Sequence, residues 1–192
     1  MTVNGSGTTF AGGTTNGAGG VTGAVTVNSG ANLAPGTSGN GVGTTAILHT
    51  GALTLSSGSY YVIDLNSTTA GTGYDQVISS NTVTINNANL MATFANSLTV
   101  GSKFFVIENS SNNANALGNM FVNAPGGFYQ DGADLFFVNY ADNGDGGLVA
   151  NDISLTLVAV PEPSTWVAAG FSLLVIAYSQ RRRFTRVVKS VG

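Results

Sequence analysis

The chain has 192 residues, no cysteine and only 8% charged side chains, against roughly 25% in an average soluble domain. Hydrophobic residues make up 43%, enough for a core, which argues against general disorder; the missing cysteine excludes disulfides and thiol chemistry. Residues 1–160 hold eight acidic groups and one lysine, Lys103, so a nucleic-acid role is disfavoured because phosphate contacts need cations.

The N-terminus, Met1-Thr2-Val3-Asn4-Gly5, has neither a basic nor an apolar leader segment. It begins inside a repeat pattern, and the expectation is the C-terminal piece of a longer protein. The pattern is apolar–Thr–apolar, then a small polar turn, then apolar again. Val25-Thr26-Val27-Asn28-Ser29-Gly30-Ala31-Asn32-Leu33 recurs as Leu53-Thr54-Leu55-Ser56-Ser57-Gly58-Ser59-Tyr60-Tyr61. It recurs again as Val83-Thr84-Ile85-Asn86-Asn87-Ala88-Asn89-Leu90, with a shorter echo at Leu98-Thr99-Val100-Gly101-Ser102. The starts are spaced 28, 30 and then 15 residues apart. Each unit reads as a strand, a turn and the start of the next strand.

Short repeated strands joined by Asn, Ser and Gly turns predict an all-β solenoid in which each unit buries its inner face on the next. Tyr61, Ile63 and Leu65 are predicted to share one face. So are Ile153, Leu155 and Leu157, with Ser154 and Thr156 opposite. Asn and Gly at the corners suit left-handed backbone angles. No segment before Pro161 reads as a long helix, although Asn112–Gly118 could form one turn. An antiparallel β-sandwich is the alternative fold, since regularly spaced short strands also permit it.

Residues 5–158 resemble the autotransporter-associated β-strand repeat region of bacterial surface proteins. The matching stretches are Gly23 to Val27, Ser29 to Gly36, Gly73-Tyr74-Asp75-Gln76-Val77, Gly144-Asp145-Gly146 and Asn151-Asp152-Ile153-Ser154-Leu155-Thr156. The resemblance implies a right-handed parallel β-helix stalk. Gly147–Ala150 departs from it by splitting the usual Gly-Asn-Asp close.

Chemistry-bearing residues are sparse. His49 is the only histidine and lies in a strand-like run, where a structural role is expected. No Gly-x-Ser-x-Gly elbow occurs, and Gly39-Asn40-Gly41-Val42-Gly43 reads as a turn because no strand–helix pair flanks it. The acidic loop around Asp142, Asp145 and Asp152 is the one calcium candidate. It fails the EF-hand spacing at Ala141, and a solvated Asp/Gly turn is the simpler reading. Aromatic residues gather late, in Phe104-Phe105, Phe128-Tyr129 and Phe136-Phe137, and adjacent members should point to opposite faces. The inner ones would fill the core. The outer ones could stack on sugars or pack against a capping segment. No cofactor is expected.

The tail follows different physics. Five of the six basic residues lie within the final twelve positions, including Arg181, Arg182 and Arg183. Before them Trp166–Ser179 carries no charge. It is shorter than the roughly 20 residues a full membrane span prefers. Snorkelling arginines and interfacial Trp166 and Tyr178 would make up the difference, with the arginines cytoplasmic and the body outside. Pro161-Glu162-Pro163 forms an extended, exposed break, and Ser164 or Thr165 can cap the helix that follows.

Residues 159–186, with Val160-Pro161-Glu162-Pro163-Ser164-Thr165-Trp166, the inner Gly170-Phe171 and Arg181-Arg182-Arg183, resemble the PEP-CTERM sorting signal of Gram-negative bacteria. The resemblance implies handling by an exosortase, a membrane-embedded protease/transpeptidase that recognises this signal. It also implies an inner-membrane precursor that ends at the cell surface or outside the cell. The expectation is therefore a β-solenoid body, residues 1–158, and a sorting tail, residues 159–192, with one transmembrane helix. The function expected is that of a non-enzymatic surface or matrix protein associated with exopolysaccharide. The alternative is a lectin-like or polysaccharide-modifying protein.

Overall fold

The structure, a computed structural model, describes residues 1–12, 19–39, 41–94, 98–115, 120–132 and 134–158. The sorting motif, the apolar segment and the arginine cluster lie outside the described residues. Met1–Val158 forms one compact unit. It is all-β, and among the described residues the single helical element is a 3-10 turn, Pro125–Gly127.

The strands come in tiers of three. The first tier is β1 (Thr2–Val3), β2 (Thr9–Gly12) and β3 (Gly19–Gly20). The second is β4 (Val25–Val27), β5 (Asn32–Pro35) and β8 (Ile47–Thr50), interrupted by a hairpin of β6 (Thr37–Gly39) and β7 (Gly41–Thr44). The third is β9 (Leu53–Leu55), β10 (Tyr60–Leu65) and β11 (Gln76–Ser79). The fourth is β12 (Val83–Ile85), β13 (Asn89–Phe94) and β14 (Lys103–Asn109). Corresponding strands pair in parallel, giving the ladders β1-β4-β9-β12, β2-β5-β10-β13 and β3-β8-β11-β14. Parallel pairing of this kind rules out the purely antiparallel sandwich.

The sequence repeat is the register. Val25 pairs with Leu53 and Leu53 with Val83, while Val27, Leu55 and Ile85 stack likewise. All six side chains are buried and the threonines between them are half-buried, as alternation on a one-sided sheet requires. Leu33, Tyr61 and Leu90 form a second column, also buried. Tyr61, Ile63 and Leu65 do share the inner face, and the Tyr61 hydroxyl donates to the Val106 carbonyl at 2.6 Å within the core.

The corners stack as well. Gly7, Gly30, Gly58 and Asn87 all have positive φ, and their N–H groups donate upward in sequence: Gly7 to Gly30, Gly30 to Gly58, Gly58 to Asn87. Asn87, at φ 54°, is the one described non-glycine residue in this region. Beside it lies a column of small residues, Ala31, Ser59 and Ala88, all fully buried. Side chains extend the stacking at the rim, where the Asn28 amide donates to Asn4 Oδ1 and the Ser56 hydroxyl to Asn28 Oδ1.

Parallel stacking stops after the fourth tier. β17 (Asp152–Val158) pairs antiparallel with β14, and β16 (Asp134–Asp142) and β15 (Phe128–Asp131) follow it antiparallel. Ile153, Leu155 and Leu157 point inward as expected. Ser154 does not face solvent: it is fully buried and its hydroxyl donates to Asp142 Oδ2 at 2.5 Å. The Leu98–Ser102 echo is likewise not a strand of the ladder. Val100 is 64% exposed, and Ser102 N–H closes a turn onto the Thr99 carbonyl. Its 15-residue offset is half the tier length, so no partner strand lies in register with it. Asn112 and Asn113 form a bend rather than a helical turn, and 116–119 lie outside the described residues.

Two neighbouring substitutions should have opposite signs. Ser59 Oγ is buried with no hydrogen-bond partner among the described residues, between alanines of the adjoining tiers. Ser59→Ala should raise stability by about 1 kcal/mol by removing an unpaired buried hydroxyl. Gly58→Ala should cost about 1–3 kcal/mol, because φ is 75° and a Cβ would lie 2.7 Å from Ser29 Oγ. Urea unfolding midpoints would read both; a destabilised Ser59→Ala would contradict the unpaired hydroxyl.

Candidate functional site

Three places hold the chemistry-bearing side chains of the body. The first is the Gly73-Tyr74-Asp75-Gln76 stretch that enters β11. Asp75 is 1% exposed. Its Oδ1 accepts the Ala46 N–H at 2.8 Å and its Oδ2 the Asp64 N–H at 2.9 Å, while its own N–H donates to the Asp64 carbonyl at 2.9 Å. Asp64, also buried, accepts the Gly43 N–H at 3.1 Å. The two carboxyls thus fasten the β6–β7 hairpin and the segment entering β8 to the end of β10. Gly36 lets this happen, since a Cβ there would lie 1.9 Å from the Thr44 carbonyl oxygen and 3.2 Å from Asp75 Oδ1. Tyr74 packs edge-on against Phe104 at 5.5 Å, and the Gln76 amide donates to the Phe105 carbonyl at 2.8 Å and to Glu108 at 3.3 Å.

Burial dominates the proton affinity here. It pushes the Asp75 carboxyl up to about 7 against the two N–H bonds that favour the charged form, and the nearby Asp64 adds to the rise. Burial raises Asp64 too, opposed by hydrogen bonds from Thr93 and Gly43. An acid near 7 has the proton affinity of a general acid or base. With both oxygens occupied and no solvent access, Asp75 is a structural fastener instead.

The second place is the acidic loop between β16 and β17. Asp142 lies 2.5 Å from the Lys103 ammonium, which also sits over the Phe105 ring at 4.8 Å. Burial alone would raise Asp142; the hydrogen bonds from Lys103 and Ser154 outweigh it and hold the carboxyl below its usual range. Asp152 is fully buried: Oδ1 accepts the Asn109 N–H at 2.8 Å, and Oδ2 accepts those of Gly144 and Asp145 at 2.5 and 3.2 Å. Asp145 turns outward and accepts the Gly147 N–H at 2.7 Å. The loop does gather the three calcium candidates, but N–H donors and an ammonium occupy Asp142 and Asp152. Among the described residues no group of three or more His, Cys, Asp or Glu could hold a metal ion. Glu108 nearby is pushed up by burial, then by the charges of Asp152 and Asp145.

The third place is the outer face of the sheet formed by β3, β8, β11, β14, β17, β16 and β15. The adjacent aromatics divide between faces as alternation predicts. Phe104, Phe136 and Tyr129 point in; Phe105, Phe137 and Phe128 point out. Phe128 and Phe137 are direct cross-strand partners, 44% and 41% exposed, with ring centroids 5.5 Å apart. At the other end of the face, half-buried His49 borders a shallow depression of about 310 Å³ shared with Gly19, Gly20, Val21, Thr22, Thr50 and Ser80. Gly20 is required for this approach, because a Cβ would lie 2.2 Å from the His49 carbonyl oxygen. No hydrogen bond ties the imidazole to a described carboxylate or hydroxyl.

The remaining sequence-derived site residues, Pro161, Glu162, Pro163, Arg181, Arg182 and Arg183, fall outside the described residues, as does the expected membrane helix. Among the described residues no helix is long and apolar enough to cross a membrane. Sequence reasoning placed Asp75 in a family motif without a role. The buried pair it makes with Asp64 was signalled only by a carboxylate on the otherwise apolar stretch Tyr60–Leu65. No protein-family model matches the chain, and no curated protein and no solved structure matches it.

The Asp75 linkage has a definite sign. A folded-state carboxyl near 7 against an ordinary value of 3.8 binds its proton more tightly when folded. The contribution of Asp75 to stability is then greatest below about pH 4, falls as pH rises to 7, and is flat above, with a total loss of at most about 4 kcal/mol. Asp75→Asn should flatten this profile and cost about 1–3 kcal/mol by leaving one buried N–H facing an NH₂. Urea unfolding at pH 4.5 and pH 8 checks this. Wild-type stability that rises between those values would refute the linkage.

Proposed function

We propose that the protein is an exported, non-enzymatic surface or matrix component. Its body is a right-handed parallel β-helix, and its C-terminal PEP-CTERM-like tail delivers it to an exosortase. The observation that carries this reading is the order of elements in the tail: Pro161-Glu162-Pro163, an uncharged apolar run, then Arg181-Arg182-Arg183, in a chain with one basic residue, Lys103, before the tail. Two features of the body support it. Met1–Val158 forms one compact unit, so a cut near Pro161 would leave every described core residue in the product. The buried carboxylates are consumed as fasteners, as in a scaffold whose polar groups hold backbone together. The destination is the cell surface or the medium of a Gram-negative bacterium, after passage through the inner membrane, with exopolysaccharide as the surrounding matrix.

Intact mass of the protein from native cells, compared between membrane and extracellular fractions, tests the reading. The expected extracellular form ends between Pro161 and Thr165 and lacks the arginines, and Glu162→Ala should leave the full-length chain in the membrane. A full-length wild-type chain confined to membranes would replace processing with permanent anchoring.

The exposed Phe128–Phe137 pair favours a second reading, in which the mature body binds polysaccharide by ring stacking. Sedimentation with exopolysaccharide from the same cells separates the two. Loss of most binding in Phe137→Ala, with an unchanged unfolding midpoint, would favour a sugar-binding protein; wild-type binding in that variant would leave the scaffold reading.

A further inference from the structure

β17 is the last described strand, and the tail follows it directly in the sequence. It lies between β14 and β16, antiparallel to both. Ser154 pairs with Phe105 on one side and Asn139 on the other, and alternation turns all three away from the core. Ser154 is nevertheless fully buried. What covers it is a strap. Lys103 of β14 reaches across to Asp142 of β16, with 2.5 Å between ammonium and carboxylate, and the Ser154 hydroxyl beneath donates to the same carboxylate oxygen at 2.5 Å. The loop after β16 rests on Phe105 beside it, where a Cβ on Gly144 would lie 2.4 Å from the ring.

The strand is also held at its start, the end away from the tail. The buried Asn151 amide donates to the Ser111 carbonyl at 2.7 Å and to the Asn113 carbonyl at 3.0 Å. The buried Asp152 carboxylate accepts the Asn109 N–H from the end of β14 and the Gly144 and Asp145 N–H groups from the loop. Drawing β17 out by its C-terminus would pull these two polar side chains from their bonds and under the Lys103–Asp142 bridge. It would also shear the backbone bonds to both neighbouring strands together. An ion pair as exposed as Lys103–Asp142 adds little to equilibrium stability. Laid across a strand, it opposes one particular motion instead.

We propose that β17 is the strand through which tension on the tail enters the body, with the Lys103–Asp142 strap and the Asn151–Asp152 stop holding it against withdrawal. The proposal rests on the reading above in one respect, that the tail is where the chain is held. Forced unfolding is governed by the unfolding rate, so contacts that must break on the way to the barrier count whatever they add at equilibrium.

Single-molecule pulling tests this, and the absence of cysteine makes the attachment specific. In the full chain, kept in non-ionic detergent, one handle follows Gly192 and the other sits on Asn112→Cys or Val100→Cys, both exposed positions. Asn112 lies between the two residues that Asn151 holds, at the start of β17, so force from there shears the strand along its length. Val100 lies beside the other end, where the Gly101 N–H donates to the Leu157 carbonyl, so force from there peels the strand from its C-terminus. The unfolding force should be higher from Asn112 than from Val100. Asp142→Ala should speed unfolding about tenfold at a given force from Asn112 and leave the Val100 value unchanged. Lys103→Met, which spares the Ser154 bond, should act in the same direction. Equal forces from the two handles, or variants that speed unfolding equally from both, would overturn the strap. Neither result would touch the sorting of the tail, which intact mass reads separately.

Discussion

The body depends on in-register parallel stacking. Once β4, β9 and β12 pair residue for residue, every side chain sits over its counterpart in the neighbouring tier. A one-residue slip would move a whole hydrophobic column to the outside. The sequence must therefore repeat its residue types at the tier spacing, and it does so even at the corners. There Gly7, Gly30 and Gly58 give way to Asn87, the non-glycine residue type that best tolerates a left-handed backbone. The same constraint explains Ser59. A small residue is all that the corner column admits, and at residue 59 it is a serine whose buried hydroxyl has no partner among the described residues.

The buried carboxylates are a second consequence. A tiered stack closes each tier with irregular backbone whose N–H groups have no ladder partner, and a buried N–H left unpaired costs about 1–3 kcal/mol. Asp75 answers this where the β6–β7 hairpin rejoins the ladder, and Asp152 where β14 turns over into the antiparallel cap. The two act alike, each accepting backbone N–H groups that the ladders leave over. A chain so poor in charge thus spends three carboxylates, Asp64, Asp75 and Asp152, on its interior.

How much of this was legible in the sequence follows from the range of each interaction. The repeat carries the strands, their inner faces and their register, because parallel stacking converts a sequence offset directly into a spatial neighbour, as for Val25, Leu53 and Val83. The split of Phe136 from Phe137 was equally readable, being a two-residue alternation. The antiparallel cap was not, since β15, β16 and β17 match no repeat and pair with strands chosen by the fold. Nor was the burial of Ser154, which Asp142 and the β16 strand cover. The Leu98 echo misled, having the residue types of a tier at half the spacing. The roles of Asp64 and Asp75 require knowing that loops from two tiers meet, which no local pattern states.

Tier spacing also sets what such a body is good for mechanically. Adjacent parallel strands lie about 4.8 Å apart, and each tier consumes about 29 residues, so the stack lengthens by roughly 0.17 Å per residue, against about 3.3 Å for an extended strand. Reach is therefore obtained at about a twentieth of the efficiency of open chain. What the residues yield instead is cross-section and stiffness, with three hydrogen-bonded ladders sharing any load. Because the paired columns repeat at the tier spacing, length can be added or removed only in whole tiers, with bonds such as that from Ala46 to Asp75 tying particular neighbours together. Length would then change in fixed steps, as in a ruler graduated by its own backbone.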